Sequence, residues 1–134
     1  TVGSNSLGTK GAIFSSTGFK IVAAGLGLGY GTGAGCAATQ LTSRTTGVTC
    51  SDGAGQITLF TAAGSTTATT FTVTNTAVAA TDTIQCSESS GTNLYLCFAT
   101  SIGSGTFNLT FFTTGGVASD APVFNFTVLK GSAS

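Results

Sequence analysis

Four cysteines, four carboxylates and a run of alternating glycines are the residues with which this chain could do chemistry. Cys36, Cys50, Cys86 and Cys97 form an even set that allows three disulfide connectivities. Sequence-local pairing, Cys36 with Cys50 and Cys86 with Cys97, is the simplest of them. The alternative is four buried free thiols acting as small hydrophobes. Metal binding calls for close pairs such as Cys-x-x-Cys, which are absent, so no metal site is expected. A nucleophilic Cys needs a base to lower its pKa, and the chain has no His. The same absence removes the Ser-His-Asp triad. A Ser–Lys arrangement would need Lys10, Lys20 or Lys130, which sit in terminal segments. Asp52, Asp82, Glu88 and Asp120 are scattered, and their spacing suggests no catalytic pair. Gly25 to Gly35 holds neither a complete G-x-G-x-x-G nor a G-K-[ST], and no helix follows to cradle a phosphate. The expectation is a protein that is not an enzyme and carries no cofactor.

Composition narrows the partners. The chain has 134 residues, of which 41% are hydrophobic, enough for one domain with a real core. Only 6% are charged, against roughly 25% in an average soluble domain. Four basic and four acidic residues cancel, so no basic surface is available to neutralise phosphates, and no nucleic-acid partner is expected. No apolar stretch approaches the roughly 18 residues of a membrane helix, so no membrane partner is expected either. About one residue in five is Thr. Weakly charged, neutral surfaces associate, which points to fixed positions in an assembly. A secreted Thr/Ser-rich domain is the alternative.

The elements that must hold these residues read as strands. Apolar and Thr residues alternate with period two, the signature of a half-buried pleat. Strands are expected over Gln56–Phe60, Thr70–Asn75, Thr81–Cys86, Asn93–Thr100, Thr106–Phe112 and Val123–Lys130, with one or two more between residues 38 and 50. Pro122 sits where the last strand begins, where its missing N–H costs least. The inward faces are expected to carry Ile57, Leu59, Phe71, Val73, Leu96, Phe98, Phe107, Leu109, Phe124, Phe126 and Val128. No segment keeps a helical period. The fold expected is all-β, an antiparallel two-sheet sandwich or jelly roll spanning residues 39–134.

Residues 1–38 read as an extended Gly-rich N-terminal arm with no strand of its own. Alternate Gly weakens a strand and lets backbone approach another surface. Ile13, Phe14, Phe19, Ile21, Val22 and Tyr30 are its apolar anchors for an interface with a neighbour. Packing back on its own domain is the alternative.

Several stretches in order resemble a known family. Gly29-Tyr30-Gly31-Thr32-Gly33-Ala34-Gly35 leads into Thr39-Gln40 and Thr42-Ser43-Arg44-Thr45-Thr46-Gly47-Val48-Thr49. Gly55-Gln56-Ile57-Thr58 follows, then Phe71-Thr72-Val73-Thr74-Asn75 and Ala79-Ala80-Thr81-Asp82. Gly105-Thr106-Phe107 and Pro122-Val123-Phe124-Asn125-Phe126-Thr127-Val128-Leu129-Lys130-Gly131 close the series. Over residues 29 to 131 the chain resembles small virion structural proteins of tailed bacteriophages, and among characterised proteins it is most similar to capsid decoration, or cement, proteins. The four cysteines depart from that pattern, which has small or apolar residues there. The resemblance implies a sandwich or jelly roll on the capsid exterior that stabilises the head shell. Its partners would be the major capsid protein and copies of itself, most simply as a homotrimer. A tail-fibre or spike module for host attachment is the alternative within the virion. The resemblance brings no catalytic residues with it.

Overall fold

A computed structural model describes residues 12–15, 18–21, 30 and 35–132, and every described element is a strand. The chain divides into two units, residues 1–30 and 31–134. In the first, β1 (Ala12–Ser15) pairs antiparallel with β2 (Gly18–Ile21), Phe14 opposite Phe19. The N-terminal segment therefore has strands of its own, contrary to the expectation of a strandless arm. Ile13, Phe14, Phe19 and Ile21 are strand-favouring types, and here they outweigh the surrounding glycines.

The second unit holds two four-stranded sheets packed together. One has the order β4 (Val48–Thr49), β7 (Thr69–Thr74), β10 (Thr106–Thr113) and β9 (Tyr95–Gly103). The other runs β3 (Cys36–Thr39), β5 (Ala54–Thr58), β12 (Val123–Leu129) and β8 (Thr83–Ser90). A short pair, β6 (Ala62–Ala63) with β11 (Ser119–Asp120), lies apart from them in pairing. The sheets are mixed, not antiparallel as expected. β3 runs parallel to β5 and β4 parallel to β7. Both parallel strands are edge additions that precede their partners in sequence, so no hairpin fixes their direction. Cys36 to Ala38, expected in the arm, already belong to β3.

The core forms where the two inward faces meet. Phe71, Val73, Phe107, Leu109 and Phe111 come from one sheet, and Ile57, Ile84, Phe124, Phe126 and Val128 from the other. Phe107 meets Phe126 edge-on at 5.3 Å and Phe111 meets Phe124 at 5.4 Å, so aromatic contacts join the sheets. Burying each such ring contributes roughly 1.5–3 kcal/mol. Leu96 and Phe98 are the correction to the expected core. They face outward, and Tyr95 takes the buried side of β9, with the half-buried Cys97 and Ala99 beside it. Both alternate sets of this strand are apolar, so period two alone could not choose between them.

Two disulfides fasten the layers. Cys36 of β3 is joined to Cys50, which follows β4, and Cys86 of β8 is joined to Cys97 of β9. Each bond links an edge strand of one sheet to the edge of the other, one bond on each side of the sandwich. Closing loops with separations of 14 and 11 residues is worth about 3 kcal/mol each on chain-entropy grounds. Gly55 makes room for the first: a Cβ there would lie 2.7 Å from both of its sulfurs and 2.5 Å from Phe126. Between β9 and β10 the chain reverses at Ser104–Gly105, where Gly105 holds a φ of +79°.

Candidate functional site

Polar groups gather at one place, where the loop after β3 meets the β6–β11 pair and the start of β9. Arg44 enters from the 40–47 loop. Gln40 fixes that loop by donating from Nε2 to Thr46 O at 2.7 Å and Arg44 O at 3.2 Å. The Arg44 guanidinium then donates to the carbonyls of Phe60, Ala62, Ala63 and Asp120. It also donates to Tyr95 Oη at 2.8 Å and Asp120 Oδ1 at 2.9 Å. The two side chains of this ion pair are 9% and 5% exposed.

Asp120 is as fully engaged as the arginine. Tyr95 Oη donates to its Oδ1 at 2.7 Å, and the backbone amides of Thr92 and Asn93 donate to its Oδ2 at 2.8 and 3.1 Å. Burial pushes the Asp120 carboxyl up. The hydrogen bonds from Tyr95, Asn93, Thr92 and Arg44 outweigh burial and hold it down at about 2. For Tyr95, burial and the neighbouring Asp120 carboxylate raise the phenol above its ordinary range. Asn93 completes the cluster, donating to Ala118 O at 2.7 Å and accepting from Ala118 N at 3.1 Å.

Chemically this is a closed polar knot. Arg44 spends its donors on carbonyls and two side chains, and Asp120 spends both oxygens. No nucleophile with an adjacent free base faces an open cleft here. The knot does what buried charge does when fully satisfied: it fixes one arrangement of loops. Sequence reasoning placed Asp120 among scattered acids and did not join it to Arg44, 76 residues away. The only signal was a basic residue inside an uncharged Ser/Thr loop.

A second carboxylate clamp lies near the end of β12. Asp82 accepts from Ala79 N and Gly131 N at 2.8 and 2.9 Å and pairs with Lys130. The Ala79 amide, then Lys130, then the Gly131 amide hold its carboxyl down at about 2. Glu88, from β8, reaches the other sheet and accepts from Tyr95 N at 2.9 Å, while its Oε1 is buried without a partner. It borders an open depression of about 350 Å³ that runs from Glu88 to Leu94. Asp52 joins none of these clusters; its carbonyl receives Asn75 Nδ2 at 2.8 Å.

Among the described residues no three His, Cys, Asp or Glu side chains come together to hold a metal ion. No described helix is long and apolar enough to cross a membrane. The four cysteines are all spent in disulfides. Of the expected interface anchors, Ile13, Phe14, Phe19 and Ile21 lie in β1 and β2, Tyr30 is about half exposed, and Val22 lies outside the described residues. No family model matches the chain, and no curated protein or solved structure matches it at a significant level.

Proposed function

We propose that this chain is a non-catalytic structural protein of a bacteriophage virion, a decoration protein that sits on the outside of the head shell and stabilises it. The observation that carries the reading is the ordered series of motifs from Gly29 to Gly131 that resembles such proteins. The all-β body and the nearly uncharged composition are consistent with it, since a weakly charged surface suits a fixed place in an assembly. The Arg44–Asp120 knot supports a structural role, because its polar groups are consumed in holding loops. The partners are the major capsid protein and other copies of the chain. The N-terminal segment, with Phe14 and Phe19, makes the contact with the neighbour, by backbone pairing and by filling apolar pockets.

The test is to count and locate the chain in purified particles. Many copies over the head support the reading. A few copies at the tail replace decoration with the tail-fibre or spike reading, and absence from particles rejects both. Within the full chain, Phe14→Ala with Phe19→Ala should lower the amount retained on particles without changing the melt of the sandwich. Unchanged retention would move the attachment surface to the sandwich itself.

A further inference from the structure

The bonded cysteines are held beside one another by contacts that do not involve sulfur. Cys86 lies within β8, which pairs with β12 along Thr83 to Ser90 and sets it opposite Phe126. Cys97 lies within β9, which pairs with β10 along Tyr95 to Gly103 and sets it opposite Phe111. Two residues from each of them, Glu88 Oε2 accepts from Tyr95 N at 2.9 Å and ties β8 to β9 directly. In the interior Tyr95 meets Phe124 edge-on and Phe107 meets Phe126 edge-on. With these ladders and rings in place the Cα atoms of Cys86 and Cys97 lie 5.6 Å apart, an ordinary spacing for a disulfide.

The other pair is set in the same manner. β3 pairs with β5 over Cys36 to Thr39, and Gln40 N continues the pairing by donating to Thr58 O at 2.9 Å. Gln40 Nε2 holds the following loop at Thr46 O. Past β4, Cys50 N donates to Thr74 O at 2.9 Å. The Cα atoms of Cys36 and Cys50 are then 5.4 Å apart. The two residues differ in access. Cys50 is 1% exposed. Cys36 is half-buried and borders an open depression of about 430 Å³ shared with Gln56, Asn125 and Thr127. Cys86 and Cys97 are both half-buried.

We propose that the sandwich forms with its four thiols reduced and closes its disulfides afterwards, Cys36 being the entry thiol for the bond to Cys50. The oxidant is a small-molecule disulfide. The Cys36 thiol gives its proton to water, and the thiolate attacks one sulfur of the reagent. The reagent's S–S bond breaks, and its other half leaves as a thiolate that takes up a proton. Cys50, deprotonated in turn, attacks Cys36 Sγ in this mixed disulfide, forms the Cys36–Cys50 bond and expels the second half. Two protein thiols are oxidised and the reagent is reduced to two thiols. The same exchange closes Cys86–Cys97, where either sulfur can begin. A reducing cytosol keeps thiols free. A chain built in this way is folded there and hardens where its surroundings become oxidising, when a covalent tie closes each side of the sandwich. This order of events belongs to the chain alone and stands independently of the virion reading.

The test uses the full chain, reduced at neutral pH and freed of reductant without air. Its amide NMR spectrum should be as dispersed as that of the oxidised chain. A short pulse of iodoacetamide, read by peptide mass, should label Cys36 about tenfold or more faster than Cys50, because a buried thiol reacts only when the fold opens. Oxidised glutathione should then take the free-thiol count to zero, with Cys36–Cys50 and Cys86–Cys97 as the pairs formed, and the urea midpoint should rise. Collapsed amide dispersion in the reduced chain overturns the proposal, since the bonds would then be needed to form the sandwich. Pairing such as Cys36 with Cys97 in the oxidised product overturns it too. Equal labelling of Cys36 and Cys50 in a folded reduced chain overturns the assignment of the entry thiol.

Discussion

Two ion pairs among the described residues hold this sandwich, and they do so in different surroundings. Arg44–Asp120 has both partners buried, at 9% and 5% exposure, and Arg44 reaches its carboxylate within a shell of carbonyls. In Lys130–Asp82 the lysine is 61% exposed and the carboxylate fully covered. Both carboxyls are held at about 2. The comparison teaches that a depressed acid does not measure its cation's weight. At Asp82 the leading cause is the Ala79 amide. At Asp120 hydrogen bonds from Tyr95, Asn93 and Thr92 come ahead of Arg44 in overcoming burial. What differs is what remains when the cation is taken away. Water replaces an exposed ammonium, but not the guanidinium at the part-buried carbonyls of Ala62 and Asp120 and at the buried carboxylate.

Arg44→Met is accordingly the most damaging change expected. It leaves the buried Asp120 carboxylate without its cation and the part-buried carbonyls of Ala62 and Asp120 without their donor, and should cost about 3–5 kcal/mol in urea unfolding under non-reducing conditions. Tyr95→Phe keeps the ring but removes the hydroxyl between Arg44 and Asp120. It should cost about 1–3 kcal/mol by the same measurement.

Acid should act on both clamps together. Their folded pKa values lie below the ordinary value of 3.8, so the unfolded chain takes up protons first as pH falls. The stability they contribute is complete above the unfolded value and is lost as pH drops from about 4 to about 2. Melting temperatures flat from neutral pH to about 5 and falling below 4 would agree. A fall beginning at pH 6 would show that other groups control the acid limit.

Lys130→Met should have the smallest effect. Its melt should nearly overlay that of the parent chain, and any difference should vanish in high salt. Asp82 should still titrate below its ordinary value, because the Ala79 and Gly131 amides remain. If Lys130→Met proved as costly as Arg44→Met, burial would not be what separates the two pairs.

The strands were legible wherever polar and apolar residues alternate strictly. Ile57 with Leu59, Phe71 with Val73, Phe107 with Leu109, and Phe124 with Phe126 and Val128 are buried as the pattern requires. β9 was not legible, because Leu94, Leu96 and Phe98 compete with Tyr95, Cys97 and Ala99 for one interior. The disulfide to Cys86 and the hydrogen bond from Tyr95 to Asp120 select the second set, and the bulkier side chains are left outside. The Arg44–Asp120 knot was illegible for a related reason. Its side chains come from two loops and two strands, and none carries a local pattern that names its partner.

The amino-acid sequence by itself determined an all-β body, the phase of most of its strands, and the exclusion of chemistry that requires histidine. These follow from side-chain types and from a period of two along the chain, both of which are local. Only the tertiary structure decided the parallel direction of β3 and β4, the choice of face for β9, the bonding of each cysteine across the two sheets, and the meeting of Arg44 with Asp120. Each of these is a contact between segments far apart in sequence. Its free energy depends on which groups are already buried when the segments meet, and one-dimensional spacing holds no record of that.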